Sequence, residues 1–300
     1  MRITSEVMVD RSLDRLHTRL EAYERSQSEL ATGRSILRPS DDPTGARRSM
    51  SLDASIRSQE RFLRNASDAQ GWVDNADTQL GSASDRMARA RELVTGVASN
   101  PERRERDAVS AELREIAEEI EGIANTEHQG RPLFGGYSDG TAVSYDATAG
   151  TWVAEGGGDQ ITRRISDSEL VRVNTTAQEW MGFAADGTGG DDLLTYLEDL
   201  ATTVEQGSSD QISAELGRID QHLERINAAR ADIGAATNRI DSGVERAQSQ
   251  RLALRTELSD VEDVDVAEGI MEQQIQQAGY EATLQALSRS LPPSLMAFMG

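Results

Sequence analysis

Carboxylates crowd three places in this 300-residue chain. They are Asp41-Asp42 in RPSDDPTGA, Asp186 to Asp192 in DGTGGDD, and Asp260, Glu262, Asp263 and Asp265 in SDVEDVD. Adjacent carboxylates can divide acid and base duties, and acidic loops can hold Ca²⁺ through oxygen. Neither chemistry is completed here. No histidine or nucleophile is tied to Asp41-Asp42, and SDVEDVD lacks the glycine and ligand order of a calcium loop. The three histidines, His17, His128 and His222, lie far apart in the chain, which gives no zinc spacing. No cysteine is present, so thiolate catalysis and Cys-ligated metals are excluded. EGGGD sits between strand-like runs and reads as a turn rather than a phosphate loop. We expect no catalytic residue, no cofactor and no metal.

The elements that carry these residues explain them better. Val9, Leu13, Leu16, Leu20, Tyr23 and Leu30 follow a heptad spacing, and Gly33 then provides a helix stop. Asp42-Pro43 reads as the N-cap and first residue of the next helix. Asp41 completes the joint. A second run, Ala66 to Val97, alternates steps of 3 and 4 until Asn100-Pro101 breaks it. A third runs from Val109 to Ile123. The longest, Ile212 to Val261, keeps an apolar seam that only Arg230, Thr237 and Arg251 interrupt. The last holds Met271, Ile275, Ala278 and Ala282, with Leu284, Leu287 and Leu291 on a neighbouring face, and ends at Pro292-Pro293. Acids at Asp263 and Asp265 suit the start of that helix. Arg230 on an apolar seam needs a partner. Asp68 and Asp77 are the candidates, and escape to solvent is the alternative.

A repeat of 3.5 residues sustained this far means coiled-coil packing. A helix over Ile212–Val261 is about 75 Å long, against a radius of gyration of about 19 Å for a compact chain of this length. We therefore expect a mainly α fold: an elongated antiparallel helical coiled-coil rod made from both chain ends, with a small β-rich domain inserted. Between Gly130 and Gly190 the heptads vanish. Alternating runs TAVSYD, TWVAE, QITRRI and ELVRVN appear there, separated by turns. The expected divisions are a terminal helical assembly domain (1–40 plus 262–300), a rod (41–130 plus 191–261) and an outer β domain (131–190). The outer domain is expected to be dispensable for folding of the rod.

The net charge of −21, from 31 basic and 52 acidic residues, repels phosphate and argues against nucleic acid. All the basic residues are arginine. No run approaches transmembrane length, and the opening MRITSEVMVDRSLDRL has no secretory apolar core. We expect no membrane partner, and export, if it occurs, without a cleaved signal.

Several segments resemble the flagellin superfamily. They are SELATGRSILRPSDDPTGA, RNASDAQGWVDNADTQL with Asn65 and Asn75, RINAARADIGAATNRID with Arg230 and Asn238, and the terminal DVDVA with Tyr280. MRITSEVM and GRPLFGGYSDG resemble, within it, the hook-associated proteins of the hook–filament junction. The resemblance implies a structural, non-enzymatic, extracellular subunit exported unfolded by the flagellar type III apparatus. It implies a homo-oligomeric ring between the neighbouring hook-associated junction protein and the flagellin filament, and an export chaperone guarding the C-terminal helix. A main filament flagellin and a cytoplasmic coiled-coil scaffold are the competing readings. Because a lone pair of terminal helices leaves apolar surface uncovered, we expect the ends to be mobile in the monomer and ordered in the assembly.

Overall fold

The computed structural model describes residues 2–99 and 103–290. In chain order it has α1 (Arg2–Thr32), α2 (Pro43–Ser99), α3 (Arg103–Ala124), β1 (Glu127–His128), β2 (Arg131–Pro132), β3 (Val143–Asp146), β4 (Thr151–Ala154), β5 (Thr162–Arg164), β6 (Leu170–Arg172), α4 (Ala177–Met181), α5 (Leu193–Gln206), α6 (Ser209–Glu262) and α7 (Val266–Ser290). The expected mainly α fold with an inserted β region is what forms. It divides into two compact units: Gln59–Ser249, and the residues up to Ser58 together with those from Gln250 onward. The division falls inside α2 and α6, farther from the termini than the joints.

In the larger unit α2, α3, α5 and α6 form a bundle. Ion pairs on its surface reveal which helices adjoin. Arg86–Glu119 and Arg89–Glu112, each 2.9 Å, link α2 to α3, and Arg114–Glu205 at 2.8 Å links α3 to α5. Arg91–Asp220 at 2.7 Å and Arg230–Asp77 at 3.1 Å link α2 to α6. As one advances along α2 the partners recede along α6, so these two helices are antiparallel. Exposed pairs of this kind contribute little each; the cohesion is apolar. Every residue of the expected α2 seam from Ala66 to Val97 is buried, including Leu80, Met87 and Val94 at 0% exposure.

The β region consists of three antiparallel hairpins, β1–β2, β3–β4 and β5–β6. Three of the four expected runs hold their strands at β3, β4 and β5, and ELVRVN holds β6. The two-residue turn of β1–β2 escaped the sequence reading. Gln129 and Gly130 both have positive φ, 53° and 75°, the backbone that a tight primed turn requires. The hairpins do not stand apart. Leu133, Phe134, Ile165, Val171 and Trp180 belong to the same buried core as the helices. Arg163 of β5 pairs with Asp68 of α2 at 2.8 Å, while Arg239 and Arg246 of α6 reach Glu169 beside β6. The hairpins therefore fill the bundle's flank and share its buried apolar core.

In the smaller unit α1 and α7 lie alongside one another, with the Tyr23 and Tyr280 rings stacked 6.4 Å apart. Its core is thin. Among the described residues before Gln59 and after Ser249, the buried apolar side chains are Ala46, Leu52 and Ile56.

Candidate assembly surface

The joints lead into the terminal helices. Gly33 takes a left-handed φ of +71° after α1, the usual way to close a helix. The chain then turns on Asp41, whose carboxylate accepts from the Arg38 N–H at 3.0 Å. Asp42 caps α2: its Oδ1 accepts from the Thr44 N–H at 2.9 Å, with Pro43 at the position where no N–H is needed. Gly45 lies close against two neighbouring side chains. A Cβ there would lie 2.3 Å from Asp42 Oδ2 and 2.6 Å from Ile36 Cδ1. On the other side Asp265 caps α7, accepting from Ala267 N–H at 2.9 Å, and Asp263 accepts from the Ser259 hydroxyl. The two aspartates of RPSDDPTGA thus have separate structural tasks, one closing the loop and one starting the helix.

The α1–α7 seam is unusual in composition. On α7 the half-buried residues are Gly269, Gln273, Gln276, Gly279, Tyr280, Thr283 and Leu287, a mostly small or polar stripe at helical spacing. It meets α1 through Leu30 against Gly269, and through Arg19, which donates to Gln276 Oε1 at 3.4 Å. The apolar stripe of α7 points elsewhere. Met271 is 59% exposed and Ile275 62%, with Ala278 and Ala282 also exposed beside them, while Leu284 is exposed on a different face. On α1, Leu16, Leu20, Tyr23 and Leu30 are half-buried and Leu13 is exposed. The side chain of Val9, and Leu291, lie outside the described residues. Among the described residues, nine of the twelve exposed large apolar side chains belong to this unit and three to the larger one. Scattered exposed apolar residues need no explanation, whereas Met271, Ile275, Ala278 and Ala282 fall at helical spacing along one face of α7.

The motif residues of the bundle have local roles. Asn65 donates to the Arg164 carbonyl at 2.9 Å, tying β5 to α2. Asn75 lies 3.3 Å from His128 Nδ1, and the His128 ring meets Trp72 edge-on. Asn238 is exposed, its carbonyl accepting from Ser242. Arg230 pairs with Asp77, one of its two candidate partners; Asp68 is taken by Arg163. Its puzzle also dissolves. The buried stripe of α6 is Ile212, Ile219, His222, Ile226, Ala229, Ile233, Ala236, Ile240, Gly243 and Ala247. Arg230 and Thr237 flank that stripe and are half-buried, while Leu216, Leu223 and Val244 of the expected seam pack against the core from its edge.

That stripe carries a cluster which the sequence reading missed. His222 is 1% exposed, its ring stacked 4.6 Å from Tyr196 of α5. Arg218 lies over the other partner of that stack, 4.5 Å from the Tyr196 ring, and Tyr196 donates to the Glu215 carbonyl at 3.1 Å. Asp191 binds Arg225 at 2.8 Å and Arg218 at 3.1 Å. Burial, with Arg225 adding to it, pushes His222 down to about 4, and those arginines hold Asp191 below the usual carboxylate range. Burial raises the Tyr196 hydroxyl. The arrangement is a packed corner between α5 and α6, in which a neutral His is the stable form. Its only sequence signal was a histidine at a heptad position.

Among the described residues no group of acids and histidines is arranged to hold a metal ion, and no helix is long and apolar enough to cross a membrane. Residues 5–139 match the bacterial flagellin N-terminal helical region, and residues 216–296 match the bacterial flagellin C-terminal helical region. The chain is similar to the flagellin of Bacillus subtilis, 24% identical over 91% of this chain and 90% of that one. It is similar to flagellar hook-associated protein 3 of Escherichia coli, 22% identical over 94% and 96%. Among solved structures it resembles a flagellar hook-associated protein from Vibrio parahaemolyticus. That match has a TM-score of 0.67 and 23% identity, and covers 74% of this chain and all of the other.

Proposed function

The chain belongs to the bacterial flagellin family, and from that premise we propose that it is the structural subunit that joins hook to filament in the bacterial flagellum. The observation that carries the assembly role is the uncovered apolar stripe of α7, Met271, Ile275, Ala278 and Ala282. At about 25 cal/mol per Å² of apolar surface removed from water, a stripe of this kind favours burial against other subunits. Leu13 on α1 and Leu284 on another face of α7 are exposed as well. The terminal helices, 1–40 and 262–300, act as the assembly elements, and the joints at Gly33, Asp41, Asp42, Pro43, Asp263 and Asp265 direct them. The remainder is the bundle with its hairpins.

Placement at the junction is supported by end-to-end similarity to hook-associated protein 3 and by the fold of the Vibrio structure. The subunits form a ring between the other hook-associated junction protein and the flagellin filament. The chain leaves the cell through the flagellar export route with no cleaved signal, and a chaperone covers the apolar face of α7 before export. No step is catalytic. A strain lacking the gene tests the placement: hooks should form and flagellin monomers should accumulate in the medium. Intact filaments in that strain would refute it. The second reading, filament flagellin, has the 24% identity to the Bacillus protein in its favour. Self-polymerisation of the purified chain into long filaments would select it.

A further inference from the structure

We propose that the two joints are one clasp, which couples the exit directions of α1 and α7, and that Glu262 is the residue that positions it. A pair of independent swivels would leave their backbone groups to water. Here each joint satisfies the other. The Ser35 N–H donates to the Glu262 carbonyl at 2.6 Å, and the Val264 N–H donates to the Gly33 carbonyl at 3.0 Å. These two bonds bracket an antiparallel bridge between Arg34 and Asp263. The Ser35 hydroxyl adds a bond to the Glu262 carbonyl at 3.0 Å.

The Glu262 side chain then fastens this crossing to α2. Its carboxylate is only 13% exposed. Arg34 Nη2 lies 3.4 Å from Oε2, and Oε1 accepts from the hydroxyl of Ser49, itself a buried residue of α2. One residue at the end of α6 therefore holds the first joint through its backbone and side chain, and α2 through its side chain. A hydrogen bond to a charged group with little water around it is worth more than a neutral surface one. Neither terminal helix can change its direction of exit without breaking bonds made by the other joint. Local opening of the two joints is then a single cooperative event. The inference concerns the joints alone and stands whether the subunit sits at the junction or in the filament.

Amide hydrogen exchange on the full chain, read residue by residue by NMR, tests it. In the unaltered protein the Ser35 and Val264 amides should be slowed to the same degree. Glu262→Ala should accelerate both together, by about tenfold for the loss of one bond to a charged group. Glu262→Gln, which keeps an acceptor for Ser49 and loses the charge facing Arg34, should accelerate both by less. Ser49→Ala is the mildest variant and deletes one partner while Glu262 remains; it too should move both amides together. Unrelated rates for Ser35 and Val264 in the unaltered chain would overturn the clasp. Acceleration of one amide alone in Ser49→Ala would do the same, and unchanged rates in all three variants would overturn the role of Glu262.

Discussion

Replacing His222 by Phe should make the larger unit markedly less sensitive to acid. His222 is held at about 4 against its ordinary 6.5, through burial first and the neighbouring Arg225 second. A group whose pKa is lowered by folding binds its proton more readily in the unfolded chain. The stability it contributes is therefore complete above pH 6.5, is lost as pH falls from 6.5 to 4, and changes no further below that. The gap amounts to about 3 kcal/mol, at about 1.4 kcal/mol per pH unit for one proton. Phe keeps an aromatic ring against Tyr196 and cannot be charged. All three tryptophans, Trp72, Trp152 and Trp180, lie within Gln59–Ser249, so denaturant unfolding followed by Trp fluorescence reports on this unit alone. Measured at pH 7.5 and at pH 4, the unaltered protein should lose about 3 kcal/mol more than the variant. Asp191 and the other carboxylates held low by their partners titrate chiefly below this window, and the comparison cancels them. Equal losses in the two proteins, or a His222 ring that titrates near 6.5 by NMR, would refute the reasoning.

Arg230→Ala should lower the stability of the same unit by less than about 1 kcal/mol, because its pair with Asp77 is exposed. Ile226→Ala, on the buried stripe, should cost about 2–5 kcal/mol; denaturant melts of both variants check the contrast. Gly45→Ala should cost about 1 kcal/mol or more, since the new methyl group displaces the Asp42 cap, and faster exchange of the Thr44 amide would report it. Ile275→Asp should leave the melting of the isolated chain within about 0.5 kcal/mol, as expected for an exposed site, while abolishing incorporation into flagella. Normal flagella in a strain carrying that variant would show that the α7 stripe is not an assembly surface.

How far the residues revealed the fold varies by helix. The α2 seam was legible because its alternating Ala, Leu, Met and Val positions leave a single apolar face. The helix ends at Gly33 and Asp42 were legible because caps are local: the residues that make them lie within a few positions of the backbone they satisfy. On α6 the isoleucines at 212, 219, 226, 233 and 240 recur every seven residues and belong equally to two possible stripes. The larger apolar residues at Leu223 and Val244 argue for one stripe, with Arg230 and Thr237 as its flaws. The structure buries the other, with His222, Ala229, Ala236 and Gly243. Small residues let neighbouring segments come close there; Ile165 of the hairpin region packs where a Cβ on Gly243 would be only 2.8 Å away. The β1–β2 turn stayed hidden because its strands are two residues long, too short for any alternation to register.

The amino-acid sequence by itself determined a helical chain with two capped joints and an inserted run of hairpins. These are consequences of period, cap and turn residues, which act over a few positions. Only the tertiary structure decided which faces were buried: that Arg230 lies beside a seam, that His222 lies within one, and that α7 turns its polar stripe toward α1 and its apolar stripe outward. The physical reason is that a helical period fixes the spacing of a face but not its partner. Partners such as Asp77 for Arg230, Tyr196 for His222 and Glu262 for Ser35 come from distant parts of the chain, and shape and charge complementarity in three dimensions selects among faces of equal period.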